Sequence, residues 1–240
     1  TLDLGADKAD KTGLALRDEP NPALGLRGVR LSLARPELLR AQLRAIGRAS
    51  GYGPIRILVP MVTAAEELQA VRSALHAALA ELRAEGLEVA AHIPLGAMIE
   101  VPSAALALRS FIGGCDFISV GTNDLVQYLL AADRTNESLG ELYSPLHPAV
   151  LRVLHDVVRT GLRRRIPVTV CGEIAADPTF VPLLLALGLT ELSLHPATLL
   201  EVRQTIRNSM HAQLRAAAPS LLRARNRASI LRWLNTHSQP

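Results

Sequence analysis

Three stretches of this sequence place a reactive side chain where an apolar run gives way to a turn. Glu100 closes the run Pro94-Leu95-Gly96-Ala97-Met98-Ile99. Asn123 and Asp124 follow Phe117-Ile118-Ser119-Val120 after a break at Gly121-Thr122. Cys171 closes Val168-Thr169-Val170 and leads into Gly172-Glu173. Two carboxylates at neighbouring strand ends suit Mg²⁺, which takes one or two of them and leaves its other positions to water and substrate oxygens. Arg27, Arg56 and Arg134 could surround a phosphate with forked donors. Cys171 offers a thiol as acid, base or nucleophile. A metal site, an anion cage and one thiol together imply a small, doubly anionic substrate.

Each residue also has a plainer reading. Asp124 could simply cap a helix starting near Leu125. Arg56, inside an apolar run, could serve a structural salt bridge, since a buried charge needs a partner. Arg27 could be ordinary surface charge, and Cys171 a core thiol. His147, beside Pro148, reads as fixing a turn.

For these residues to meet, their strands must lie side by side. Strand patterns fall at residues 1–4, 55–61, 94–100, 117–120, 168–170 and 191–194, with helical patterns between them. A polar connection over 5–22 carries both lysines, Lys8 and Lys11. Past the last strand the chain reads as helix to about Leu234, with one break at Pro219. Alternating strand and helix argues for parallel β/α units. A ring of such strands collects their carboxyl ends on one rim, where α/β barrels carry their chemistry.

The chain has 240 residues, 49% of them hydrophobic and only 3% aromatic, enough for one domain over 1–240 with an aliphatic core. The net charge of +4 is uneven: from Glu201 onward there are seven arginines and one acid. Those arginines alternate with Leu and Ala at helical spacing, which reads as a solvated helix face rather than a nucleic-acid surface. No apolar run is long enough for membrane insertion and no signal peptide opens the chain. Two distant cysteines, Cys115 and Cys171, form no zinc or CxxC spacing, which fits a reducing cytoplasm. Cys115 is expected to pack as a small apolar residue.

Four motifs in order carry a family resemblance: Asn21-Pro-Ala-Leu-Gly-Leu-Arg27, Ile99-Glu100-Val-Pro-Ser, Gly121-Thr-Asn-Asp-Leu-Val-Gln-Tyr128 with Asp133-Arg134, and Val170-Cys171-Gly-Glu173. On these the chain resembles the C-terminal, phosphoenolpyruvate-binding domain of Enzyme I of the bacterial sugar phosphotransferase system. The resemblance implies an α/β fold of the TIM (β/α)8 type, N-terminally truncated to about six β/α units, with extra C-terminal helices. It implies Mg²⁺ on Glu100 and Asp124, a phosphoryl group held by Arg27, Arg56, Arg134 and Asn123, and Cys171 as the acid that protonates the enolate of pyruvate. It further implies a homodimer, transfer to a histidine on a separate N-terminal domain, and a phosphocarrier protein downstream. Because the chain opens inside a strand pattern, it is expected to be a fragment. Pyruvate phosphate dikinase and phosphoenolpyruvate synthase share two of the motifs, and a non-catalytic phosphoenolpyruvate sensor is the alternative of another class. Retention of Cys171 argues against the sensor, because binding needs no proton donor.

Overall fold

The computed structural model of the chain describes residues 1–4 and 19–237. Five strands form one parallel sheet: β1 (Ile57–Val59), β2 (Leu95–Ile99), β3 (Phe117–Gly121), β4 (Val168–Cys171) and β5 (Glu191–Leu192). Their order in the sheet is their order in the chain, with every neighbouring pair parallel. A doubly wound sheet reverses strand order partway; this one never does, so it winds in one direction, as an α/β barrel does.

The helices are α1 (Gly28–Ala34), α2 (Pro36–Ala49), α3 (Ala65–Ala84), α4 (Pro102–Leu106), α5 (Leu108–Phe111), α6 (Thr122–Leu130), α7 (Pro148–Arg164), α8 (Glu173–Ala176), α9 (Val181–Leu187), α10 (Leu199–Asn208), α11 (His211–Leu222) and α12 (Arg227–His237). Period-two alternation divides each strand between two environments. Ile57, Val59, Leu95, Ala97, Ile99, Ile118, Val120, Val168 and Val170 join the aliphatic core against the helices. The alternate positions Met98, Ser119, Gly121, Thr169 and Cys171 face the other way, toward the inside of the arc, and those are the ones with polar or adaptable side chains. Register makes them layers: Met98 lies beside Ser119, Ser119 beside Thr169, and Gly121 beside Cys171.

Several expectations change. Residues 1–4 carry no strand assignment, although the Thr1 amino group donates to the Leu58 carbonyl on β1, and five strands form the sheet among the described residues. The last strand stops at Leu192, well short of 194. Pro219 lies inside α11, and the breaks fall at Ser209–Met210 and over 223–226. The expected polar connection, with Lys8 and Lys11, lies outside the described residues over 5–18. His147 does fix a turn: its Nδ1 accepts the Ala149 N–H at 3.2 Å, capping α7. Cys115 packs in the core as expected, and burial pushes its thiol up to about 11. Among the described residues no helix is long and apolar enough to cross a membrane.

Candidate active site

The carboxyl ends of β2, β3 and β4 open onto a cavity of about 220 Å³. Glu100, Asp124 and Cys171 all line it, together with Arg27, Arg134, Asn123, Asp3, Met98, Gly121, Thr122 and Gly172. A larger hollow of about 430 Å³ lies beside it, between the segment 20–24 and the end of α6. The smaller cavity is the better candidate, because convergent polar groups rather than volume mark a site.

Glu100 follows β2 and is buried. Its Oε1 accepts the Met61 N–H at 2.6 Å. Met61 reaches it from a left-handed backbone, φ 59°, a conformation costing a non-glycine residue about 1–2 kcal/mol. Burial pushes the Glu100 carboxyl up to about 7, with Asp124 and Asp3 adding repulsion and the Met61 N–H opposing.

Asp124 is not an N-cap. Helix α6 begins at Thr122, so Asp124 falls inside its first turn. Its buried carboxylate bridges two arginines instead, with Arg27 Nη1 at 3.0 Å and Arg134 Nη1 at 3.8 Å. Arg27 is almost fully enclosed. Its Nε and Nη2 grip Asp3 at 3.0 and 2.6 Å, and Nη1 also donates to the Tyr128 hydroxyl at 3.0 Å. Burial alone would lower its pKa, but Asp3 and Asp124 outweigh that and the net shift is upward. The guanidinium therefore keeps its charge in a buried place.

Two contacts tie the end of β4 to the head of α6. The Thr122 hydroxyl donates to the Cys171 carbonyl at 2.8 Å, and Asn123 Oδ1 accepts the Glu173 N–H at 3.1 Å. With its oxygen so engaged, the Asn123 amide NH₂ is the group left to meet an anion. Gly172 makes this possible at φ 100°; a Cβ there would come within 2.3 Å of Thr122 Oγ1 and 2.7 Å of Asn123 Oδ1. The Cys171 sulfur donates to the Val120 carbonyl at 3.4 Å. Burial raises its pKa, the Ser119 hydroxyl opposes, and Glu100 and Asp124 add to the rise, so the group is held as a thiol. That suits an acid better than a nucleophile.

Arg56 is not part of this assembly. Strand β1 starts only at Ile57, which leaves Arg56 exposed at the amino end of the sheet. Its guanidinium lies 5.6 Å from the centre of the Phe117 ring, a cation–π contact. The expectation that it grips phosphate beside Arg27 and Arg134 is corrected by this placement.

The sequence reading missed Asp3 and Tyr128. Tyr128 was findable: it lies four residues after Asp124 on one helix, so the two share a face and reach the same guanidinium. Asp3 carried no signal, because its partner Arg27 lies across residues that show no pattern of pairing.

Among the described residues no group of three or more His, Cys, Asp or Glu side chains forms a ready-made metal cage. The donor chemistry nevertheless fits a hard cation. Glu100 is a buried acid beside a second carboxylate, its charge disfavoured by the surroundings, and a cation that accepts substrate oxygens needs few protein ligands.

Comparison with known proteins shows the family of the chain. The profile of the family "PEP-utilising enzyme, PEP-binding domain" matches residues 1–211. The chain belongs to that family. It is 44% identical over 225 residues to the phosphoenolpyruvate-protein phosphotransferase of Cupriavidus necator, covering 93% of this chain and 38% of that protein. It is 43% identical over 215 residues to the one of Staphylococcus carnosus, covering 90% and 37%. This PEP-binding domain thus spans under two fifths of the length of those relatives. Among solved structures, a citrate lyase of Burkholderia xenovorans matches with TM-score 0.51 at 18% identity, covering 83% of this chain and 67% of that one. The malate synthase of Haloferax volcanii matches with TM-score 0.51 at 16% identity, covering 70% and 50%. At such identities the likeness bears on fold alone, and it agrees with five units of a TIM-type barrel.

Proposed function

We propose that this chain is the phosphoenolpyruvate-binding part of an Enzyme I, working with Mg²⁺ to move the phosphoryl group to a histidine on a separate N-terminal domain. The observation that carries the reading is the convergence of Glu100, Asp124, two arginines and a protonated thiol on one small cavity. Glu100 and Asp124 would hold the cation, which when bound neutralises charge on the phosphate and enolate oxygens. Arg27, Arg134 and the Asn123 amide orient the phosphoryl group. Burial of Arg27, Asp124 and Glu100 strengthens their contacts by limiting water around them. As the histidine nitrogen takes the phosphorus, the P–O bond to the enol oxygen breaks and an enolate remains. The Cys171 S–H then gives its proton to the methylene carbon, and pyruvate results.

The names of the curated relatives favour this reading over a pyruvate phosphate dikinase or a phosphoenolpyruvate synthase. It carries with it a phosphocarrier protein as next acceptor, a homodimer and a cytoplasmic setting for sugar uptake. Calorimetry with phosphoenolpyruvate and MgCl₂ tests it. The chain is expected to bind in a Mg²⁺-dependent way, and Glu100→Ala and Asp124→Ala to lose that dependence. Undiminished dependence in both variants would refute the metal assignment. Cys171→Ala is expected to keep binding within about twofold while pyruvate methyl-proton exchange in D₂O falls about 10²- to 10⁴-fold, the span of a lost general acid. An unchanged exchange rate would remove Cys171 from the proton step, and binding without any exchange in the wild-type chain would leave only a sensor.

A further inference from the structure

Ser119 is a buried hydroxyl in the middle of β3, on the inward side of the sheet. A hydroxyl enclosed there needs a hydrogen-bond partner, and strand positions of this kind are ordinarily filled by apolar side chains. Its bond goes to the Cys171 sulfur, the Oγ donating at 3.5 Å. The sulfur is thus held from two sides: it accepts from Ser119 and donates to the Val120 carbonyl at 3.4 Å. The main chains of β3 and β4 set this arrangement, because Ser119 pairs in register with Thr169 and Gly121 with Cys171.

We propose that Ser119 is the positioning residue of the proton-donating thiol: its hydroxyl fixes the sulfur toward the cavity and stabilises the thiolate left when the proton departs. The inference rests on the functional reading above. In the proton transfer the S–H bond breaks, a C–H bond forms at the methylene carbon, and the electron pair stays on sulfur. Val120 offers only a carbonyl, an acceptor, and cannot stabilise that anion. Ser119 already donates to the sulfur and needs no rearrangement to do so. Solvent later returns a proton to the sulfur and closes the cycle.

The test uses this chain with two variants, Ser119→Ala and Ser119→Thr, and two readouts. The first is the pH profile of Cys171 alkylation by iodoacetamide, read by peptide-resolved mass spectrometry, with buried Cys115 as internal control. Loss of a hydrogen bond to an anion should move the Cys171 midpoint up by about one pH unit in Ser119→Ala. Ser119→Thr, which keeps a hydroxyl, should stay at the wild-type midpoint, and Cys115 should not move in either. The second is methyl-proton exchange of pyruvate with MgCl₂ in D₂O, expected to fall about tenfold in Ser119→Ala and to be restored in Ser119→Thr. Phosphoenolpyruvate affinity by calorimetry should stay within about twofold throughout. An unmoved alkylation profile in Ser119→Ala overturns the proposal, as does a threonine variant that behaves like alanine. Failure of the wild-type chain to bind phosphoenolpyruvate would overturn the functional reading instead, and the alkylation profile would still decide whether Ser119 governs the thiol.

Discussion

The two ends of the sheet carry charge in opposite ways. At the amino end Asp116 and Arg56 each close a contact. Asp116 accepts the Leu95 N–H at 2.8 Å and an Arg72 guanidinium N–H at 3.2 Å, and Arg56 lies exposed over Phe117. At the carboxyl end Glu100, Asp124 and Asp3 crowd around the buried Arg27, and the Glu100 carboxyl and the Cys171 thiol are both pushed upward. Backbone polarity already separates the two ends of parallel strands, and the side chains widen the difference: only the carboxyl end holds charge that its neighbours disfavour. Charge that is satisfied reads as scaffold, and charge held against its surroundings reads as a site waiting for a counter-charge.

Substitutions at Glu100, Gly121 and Arg56, the last set against Arg134, press on that contrast, from the largest expected effect to the smallest. Glu100→Gln comes first. A glutamate in the unfolded chain ionises near 4.5, whereas burial holds Glu100 protonated to about 7. Below pH 4.5 both states are protonated and the group costs nothing. As pH rises from there to about 7 the unfolded chain gives up its proton first, and the fold loses up to about 3 kcal/mol. In metal-free buffer Glu100→Gln is therefore expected to exceed the wild type in stability at pH 8 by up to about 3 kcal/mol, with no gain at pH 4. Urea denaturation at the two pH values measures it, and an equal difference at both would erase the distinction between the ends.

Gly121→Ala is the next in size. A Cβ there would come within 2.6 Å of Glu100 Oε2 and 2.8 Å of the Met98 sulfur. Overpacking of this kind costs about 1–3 kcal/mol. It should also displace the carboxylate, so Mg²⁺-dependent binding of phosphoenolpyruvate by calorimetry is expected to weaken in step with stability. A variant that loses stability and keeps full affinity would show that Glu100 need not stand where it does.

Arg56→Gln is expected to have the smallest effect, about 0.5–1 kcal/mol of stability from the lost cation–π contact. Phosphoenolpyruvate affinity should stay within about twofold, whereas Arg134→Gln should lower it. If the two arginine variants weaken binding alike, the amino end is not mere scaffold.

Much of this contrast is legible in the sequence. Glu100, Asp124 and Cys171 each stand where an apolar run breaks, and in a parallel sheet such breaks come together by geometry. Arg56 misled because the family resemblance, not its position, set it among the phosphate ligands: it stands second in the apolar run over 55–61 and ladder pairing begins at Ile57, so both place it at the amino end. The plainer reading of Asp124 as a cap fails on a helix boundary. A cap and a first-turn acid differ by a few residues of helix start, which composition does not resolve. Asp3 and Arg27 could not be paired from sequence, since a salt bridge across folded distance leaves no period to detect.

The glycine after the thiol has a wider consequence. Because Gly172 has no Cβ, the Thr122 and Asn123 side chains close onto the main chain between β4 and α8, and that joint works as a gauge cut into the framework. Side-chain change around the rim can retune polarity or pKa while that gauge holds. Any residue larger than glycine at position 172 would have to push those two side chains aside, whatever charge it brings.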